Sequence, residues 1–181
     1  PADNLSKHNV SVATARAGNV IGGGDWTSWQ LIPDVAQALS RGEKAKLRHP
    51  DATRPWQHVL DCLCGYLTLA ESLSNEPAAY SGEWNFGPNE GDFHSVQHVV
   101  EMFAHYWGVM DPWVGDGITY AHEEPVLQLD STRSRELLGW KPVLPIKEAI
   151  KWTAEWYRSY FDGADARELC LEQIRQHEKL I

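Results

Sequence analysis

The spacing of apolar residues along the chain alternates between that of strands and that of helices. β-Branched and apolar residues alternate with small or polar ones over 10–16, which predicts a buried strand as in a parallel sheet covered on both faces. Segment 18–25 is predicted to be a loop, because its run of three glycines favours neither regular element. Helical spacing then extends over 29–41, and Gly42 suits the position just after a helix.

Helices and short strands continue to alternate downstream. Further helices are predicted over 59–73, after Ser95, over 132–138, after Pro145 and over 166–180. Short strands are predicted near 46–48, 83–86 and 118–120. The helix over 59–73 is strongly apolar, with Leu63, Leu67, Ala70 and Leu73 on one side. The pattern predicts an α/β chain, and because few strong strands flank the first one, we expect its sheet neighbours upstream of Val10.

Composition and charge narrow the class of protein. The chain has 181 residues, 43% of them apolar and 23% charged, which fits one soluble globular domain. No stretch approaches the roughly 20 apolar residues that a membrane helix needs. A formal charge of −9 argues against nucleic acid as a partner, since phosphate binding requires clustered Lys and Arg. A small anionic ligand would need a local basic group. The first residue is Pro1 and not Met, which suggests a chain that begins inside a longer one.

The cysteines and histidines indicate neither disulfides nor metal binding. Three cysteines, an odd number without a CxxC arrangement, fit a reducing compartment, and we therefore expect a cytoplasmic protein. His94 and His98 are four residues apart at a helix start, with Glu101 three further on. Two ligands from one helical turn are thin support for a metal site. No metal is therefore expected.

Asn19 is the first candidate binding residue. It follows the first predicted strand and opens the glycine-rich segment, and ligands of open α/β sheets bind at the carboxyl ends of the strands. Its amide can donate and accept hydrogen bonds with a sugar hydroxyl or a phosphate oxygen. The alternative is an ordinary mobile turn. The segment lacks the GxGxxG pattern, so it is not interpreted as the pyrophosphate site of a dinucleotide.

Arg54 is the second candidate, in a predicted turn before an aromatic segment. A guanidinium can grip a pyrophosphate with two hydrogen bonds, and Trp56 would form a wall of such a pocket. Lys46 and Arg48 add positive charge nearby. The alternative is a surface arginine paired with an acidic neighbour. Asn89 lies in another loop after a strand, where turn formation explains an Asn equally well.

Taken in order, five segments resemble the extended short-chain dehydrogenase/reductase family of nucleotide-sugar enzymes. They are 15–26, 31–34, 54–60, 84–88 and 138–142. The resemblance extends over about 8–160. It implies the end of a Rossmann-like parallel sheet plus a smaller substrate-binding α/β region. The sheet would be completed by about 8–28 and 56–94, and the substrate region formed by about 29–55 and 95–181.

Within that family the sequence of these segments is similar to that of the NAD-dependent 4,6-dehydratases, which are lyases. The resemblance implies CDP-glucose as substrate, O-antigen lipopolysaccharide biosynthesis as the setting and a homodimer as the full-length protein. It implies that Asn19 contacts the sugar or its phosphate, close to the cofactor. The other residues implied to bind substrate are Leu31 and Ile32 at the nucleotide, Leu47 and Arg48 at the base, Arg54 and Asn89 at the pyrophosphate, and His122 where relatives have a phosphate-binding arginine.

The family's NAD loop and its catalytic Tyr-xxx-Lys pair have no counterpart here. No tyrosine in the sequence is followed four residues later by lysine. We therefore expect the catalytic residues and most of the NAD site upstream of residue 1, and no activity from this chain alone. Two alternatives stay open. One is a different NAD-dependent nucleotide-sugar epimerase or dehydratase, and the other is a binding module without catalysis.

Overall fold

A computed structural model describes residues 10–118 and 124–181. The strands in these ranges are β1 (Ala13–Ala17), β2 (Asn19–Ile21), β3 (Ala45–Leu47), β4 (Thr53–His58), β5 (Gly82–Phe86), β6 (Phe93–Ser95) and β7 (Trp113–Gly115). The helices are α1 (Leu31–Ser40), α2 (Val59–Asn75), α3 (Pro77–Tyr80), α4 (Val96–Trp107), α5 (Thr132–Leu138), α6 (Ile146–Phe161) and α7 (Ala166–His177). The predicted α/β class is confirmed.

Parallel pairing dominates the three small sheets of the described ranges. β1 pairs with β5, and β3 with β7, both in parallel. β4 lies between β2, its parallel partner, and β6, its antiparallel partner. The register sets Asn19 opposite Trp56 and Arg54 opposite His94. Strand β4 is therefore the element that connects the candidate binding residues.

The predicted ends of several helices are confirmed. Gly42 follows α1 with a φ of 70°, and its N–H donates to the Leu39 carbonyl at 3.0 Å. The Ser95 hydroxyl accepts a hydrogen bond from the His98 N–H at the start of α4. These ends follow local rules of capping. The predicted strand at 118–120 lies partly outside the described residues.

The prediction of a loop over 18–25 was wrong at its start. Asn19–Ile21 forms strand β2, which extends along β4. Val20 and Ile21 are β-branched and suit a strand, but the pairing partner lies more than 30 residues downstream. The three glycines mark only the end of this strand.

The prediction of a fully buried first strand was also wrong. β1 begins at Ala13, and its residues Thr14, Ala15 and Arg16 are exposed. Within the described ranges β1 pairs only with β5. Its apolar sequence is typical of a strand with neighbours on both sides. Its other edge has no partner strand among residues 10–118 and 124–181.

Two hydrophobic clusters hold the elements together. The larger one joins α1, α4 and α6 through residues such as Val35, Phe103 and Ile150. The smaller one contains Leu69, Trp84, Phe86 and Trp140. Its aromatic rings meet edge to face, with 5.0 Å between the ring centroids of Phe86 and Trp140. Burial of these side chains is the main source of stability.

Helix α2 buries a different side from the one predicted. Leu63 and Leu67 are 47% and 72% exposed, whereas Cys62, Gly65 and Leu69 are buried. The helix is apolar on both sides, so the sequence alone did not distinguish the face that packs on β5. None of the helices in the described ranges is long and apolar enough to cross a membrane.

Gly65→Ala is expected to destabilise the chain even though alanine is the better helix former. An alanine Cβ at this position would lie 2.4 Å from the Phe86 ring and 2.9 Å from the Trp140 indole nitrogen. We expect overpacking to cost about 1–3 kcal/mol, which exceeds the helix-propensity gain of about 1 kcal/mol. Urea unfolding measures the difference. The control is Ala70→Gly at an exposed position of α2, which should lose only the propensity of about 1 kcal/mol. A Gly65→Ala variant more stable than the parent would contradict this packing.

A buried polar cluster connects the start of α2 with the end of α7. The Asp61 carboxylate accepts hydrogen bonds from the backbone N–H groups of Val143 and Leu144, at 2.9 and 3.1 Å. The ring of His177 lies 2.9 Å from the same carboxylate. His58 is fully buried, and its Nδ1 accepts from the Leu60 N–H. Among the described residues its Nε2 has no hydrogen-bond partner.

The buried His58 predicts a loss of stability in acid. Burial lowers the pKa of His58 from 6.5 to about 4, and His177 acts in the same direction against Asp61. The folded state therefore binds this proton more weakly than the unfolded state. The corresponding stability, about 3 kcal/mol, is present above pH 6.5 and is lost as the pH falls toward 4. His58→Asn keeps the cap of α2 but cannot titrate. Its free energy of unfolding should change less between pH 7 and 4, and equal pH profiles would contradict the assignment.

Candidate functional site

Strands β2 and β4 bring the first candidate residues to one face. Side chains two residues apart in a strand point the same way, so Arg54 and Trp56 share a face of β4. Asn19 is opposite Trp56 in the parallel register. The Trp56 indole donates a hydrogen bond to the His94 carbonyl at 2.8 Å, which fixes its ring. Asn19, Arg54 and Trp56 therefore border the same space.

That space is a cavity of about 740 Å³. Five of the residues predicted to bind substrate line it, namely Asn19, Leu31, Leu47, Arg48 and Arg54. They come from two different sheets and from the start of α1, over a sequence separation of 35 residues. A cavity of this size suits a small molecule. The fold thus gathers most of the predicted residues around one cleft.

A second cavity of about 510 Å³ adjoins the first. Both are lined by Asn19, Gln30, Leu31 and Trp56. The predicted residue Ile32 lines this second cavity, together with the backbone of Gly22 and Gly23. An elongated ligand can therefore extend past Asn19 from one cavity into the other.

Arg54 lies in strand β4 and not in a turn, which corrects the sequence prediction. The guanidinium donates to the carbonyls of Thr53 and Glu124 at 2.8 and 3.0 Å, and the residue is 8% exposed. These backbone bonds hold the group at the cavity wall. The residue is nearly buried, so the alternative of a surface arginine does not describe its position. A guanidinium at the wall of a cavity is a group that suits an anionic ligand.

The larger cavity is locally more basic than the chain as a whole. Three cationic side chains, Lys46, Arg48 and Arg54, line it with two carboxylates, Asp34 and Asp116. The chain as a whole has a formal charge of −9. The local basic group that an anionic ligand would require is therefore present in this cleft.

Packing explains the glycine-rich loop beside the smaller cavity. A Cβ on Gly23 would lie 2.1 Å from the Trp156 side chain on α6, so only glycine fits there. The Tyr157 hydroxyl donates to the Asp25 carbonyl at 2.6 Å, and burial raises the pKa of this phenol. The loop is thus fixed against α6 and forms a wall of the cleft. The alternative of a mobile turn does not fit these contacts.

Sequence reasoning missed several residues that line the larger cavity, Trp29, Gln30 and Asp34 among them. Gln30 occupies the position before α1, but its side chain makes no capping hydrogen bond. The predicted helix start at residue 29 was wrong, because Trp29 has a φ of 69° and α1 begins at Leu31. Burial raises the pKa of Asp34, against the effects of the Trp29 N–H and of Arg48. The one sequence feature that could have drawn attention to Trp29 and Gln30 is their position immediately before a helix.

One predicted residue of the described ranges, Asn89, lines neither cavity. Asn89 accepts from Arg135 at 3.3 Å and donates to the Pro142 carbonyl at 3.5 Å. Its predicted contact with pyrophosphate is therefore left out of the proposal below. His122 lies outside the described residues. The rings of His94 and His98 are 5.1 Å apart, and residues 10–118 and 124–181 hold no group of three or more potential metal ligands.

The fold is shared with nucleotide-sugar epimerases and dehydratases of known structure. A UDP-glucose 4-epimerase of Thermotoga maritima, solved with UDP-glucose, matches 88% of this chain and 50% of its own, with a TM-score of 0.72 and 19% identity. A dTDP-glucose 4,6-dehydratase of Bacillus anthracis, in complex with NAD, matches 92% of this chain with a TM-score of 0.65 and 18% identity. It is covered over 50% of its own chain. No family model matches the sequence.

Sequence similarity gives a more particular relative. The chain is 38% identical over 162 residues to the CDP-glucose 4,6-dehydratase of Salmonella typhimurium, a match over 90% of this chain and 45% of that protein. Human dTDP-D-glucose 4,6-dehydratase is 26% identical over 175 residues, with 47% of its length matched. The chain thus spans about half the length of these relatives. The resemblance to the extended short-chain dehydrogenase/reductase enzymes is confirmed, and so is the Rossmann-like fold.

Proposed function

We propose that this chain forms the nucleotide-sugar-binding part of a CDP-glucose 4,6-dehydratase. The observation that carries the proposal is the 740 Å³ cavity, in which Asn19, Leu31, Leu47, Arg48 and Arg54 meet. The 38% identity to a CDP-glucose 4,6-dehydratase supports this substrate among the nucleotide sugars. A single anionic, elongated ligand satisfies both the charge and the length of the cleft.

The charges of the cleft set the direction in which the ligand lies. The diphosphate binds at Arg54, where the guanidinium supplies charge-assisted hydrogen bonds. The start of α1 lies beside both cavities, since Leu31 lines both and Ile32 lines the smaller one, and the N–H groups at a helix start suit an anion. The base lies toward Leu47 and Arg48. The sugar lies past Asn19 in the 510 Å³ cavity, where the side-chain amide orients its hydroxyls.

The reaction we propose for the whole protein is an internal oxidation and reduction of the glucosyl ring. The C4 hydroxyl is oxidised to a ketone, water leaves across C5 and C6, and the hydride returns to C6. Bound NAD would supply the temporary acceptor of that hydride. This chain contributes positioning, since holding the sugar in one pose lowers the barrier to reaction. The acid/base residues and most of the NAD site belong to sequence that would pair with the open edge of β1.

The proposal predicts binding without turnover by the 181-residue chain. Calorimetric titration should show a complex with CDP and with CDP-glucose, and weaker binding of glucose 1-phosphate, which lacks the base and one phosphate. Incubation with CDP-glucose and NAD should yield no 4-keto sugar, because no Tyr-xxx-Lys pair is available to move the protons. Absence of binding to CDP-glucose would overturn the assignment of the cleft. Turnover by the chain would overturn the proposal that the catalytic residues lie outside it.

A further inference from the structure

Trp29 at the mouth of the larger cavity combines exposure with a strained backbone. The residue is 76% exposed and lines the same cavity as Arg54. Its φ of 69° is in the left-handed region, which is costly for any residue with a Cβ. Core packing does not require a large apolar side chain here, since most of the indole contacts solvent. Glycine would satisfy the backbone with less strain, so the side chain itself calls for an explanation.

Two charged residues of the cavity hold the Trp29 backbone from opposite sides. The Trp29 N–H donates a hydrogen bond to the Asp34 carboxylate. The Trp29 carbonyl accepts from the Arg48 guanidinium at 3.3 Å. The guanidinium also lies 5.8 Å from the centre of the Trp29 ring. The strained conformation is therefore maintained by side chains of the cleft, and the indole is presented in a fixed place.

We propose that Trp29 is the stacking platform for the nucleobase, held in position by Asp34 and Arg48. The inference rests on the proposed function, because it assumes that the cleft takes a nucleoside diphosphate. An exposed indole offers a flat apolar face, and stacking of a base on such a face contributes substantially to affinity. With the diphosphate at Arg54 in the same cavity, the base has an aromatic surface at the opening. Trp29 then determines how tightly the base binds, while Arg54 acts on the phosphates.

The test compares two probes, CDP and inorganic diphosphate, on the full 181-residue chain. Trp29→Ala should weaken CDP binding about tenfold or more, the effect typical of losing one base stack. It should leave diphosphate binding unchanged. Trp29→Phe retains an aromatic face and should recover most of the affinity for CDP. Equal CDP affinity in Trp29→Ala and the parent would overturn the inference, and so would a parallel loss of both probes. If the parent chain binds neither probe, the proposed function itself fails.

Trp29→Gly separates a binding role from a structural one. Relief of the left-handed conformation should leave the melting temperature the same or raise it by up to about 4 °C, while CDP binding weakens as in Trp29→Ala. A clear fall in melting temperature would assign the tryptophan to stability and overturn the inference. Leu67→Ala is the matched control, since Leu67 is 72% exposed on α2 and lines neither cavity. This control should change neither the melting temperature nor the affinity for CDP.

Discussion

Replacing Asp61 by alanine is expected to lower the free energy of unfolding by about 3–5 kcal/mol, the cost of removing a buried carboxylate from its hydrogen-bond partners. The carboxylate is 1% exposed and accepts from two backbone N–H groups, those of Val143 and Leu144. Its removal leaves both donors without acceptors and separates His177 from its partner. A buried donor without an acceptor costs about 1–3 kcal/mol on its own. The loop before α6 and the end of α7 should loosen together.

Chemical unfolding followed by circular dichroism measures this effect. Asp61→Asn keeps the shape and one acceptor oxygen, so it should lose less stability than Asp61→Ala. Glu71→Ala is the matched control, because Glu71 is an exposed carboxylate of the same helix. That change should stay within about 0.5 kcal/mol, as is usual for surface substitutions. An Asp61→Ala variant as stable as this control would show that the carboxylate does not connect these elements.

The sequence predicted best those features whose causes are local. Helix α4 has a hydroxyl cap at Ser95 and Gly108 just past its end with a φ of 84°, both of which depend on neighbouring residues. Strand β2 was missed because its hydrogen bonds go to β4, far along the chain. The local sequence indicates only that the negative charge of Asp61 suits a helix start. Its contact with His177 spans 116 positions, and no local pattern reports such a pair.

The residues of the candidate site also differ in how well the sequence predicted them. Asn19 was a candidate because ligands of open α/β sheets bind at strand ends, Arg54 because a guanidinium can grip a pyrophosphate, and the family resemblance singled out both. Trp29 was not, since its importance comes from a positive φ and from contacts with Asp34 and Arg48. Asn89 satisfied the same strand-end rule, but its amide is engaged by Arg135 and Pro142. Position near a strand end therefore indicates which residues lie near a site. The direction in which each side chain points is known only from the structure.

Arg54→Ala is expected to weaken CDP binding to this chain by about 2–4 kcal/mol, roughly 30- to 1000-fold. The guanidinium is nearly buried at the cavity wall, where a charge-assisted hydrogen bond to phosphate is stronger than in water. Arg54→Lys restores a positive charge but not the planar pair of donors, so it should recover only part of the affinity. Calorimetric titration of the three chains with CDP gives the comparison.

The loss at Arg54 has to be separated from a change in folding. The guanidinium also bonds the Thr53 and Glu124 carbonyls, so Arg54→Ala leaves these acceptors with fewer donors and should lower the melting temperature as well. The comparison is therefore made well below that temperature, with Arg41→Ala as the matched control. Arg41 is an exposed arginine paired with Glu43 outside both cavities, and its removal should leave CDP affinity unchanged.

Because phosphate contacts are screened by salt, added KCl should weaken CDP binding more in the parent than in Arg54→Ala. Equal affinity and equal salt dependence in a folded Arg54→Ala chain would place the diphosphate elsewhere in the cleft.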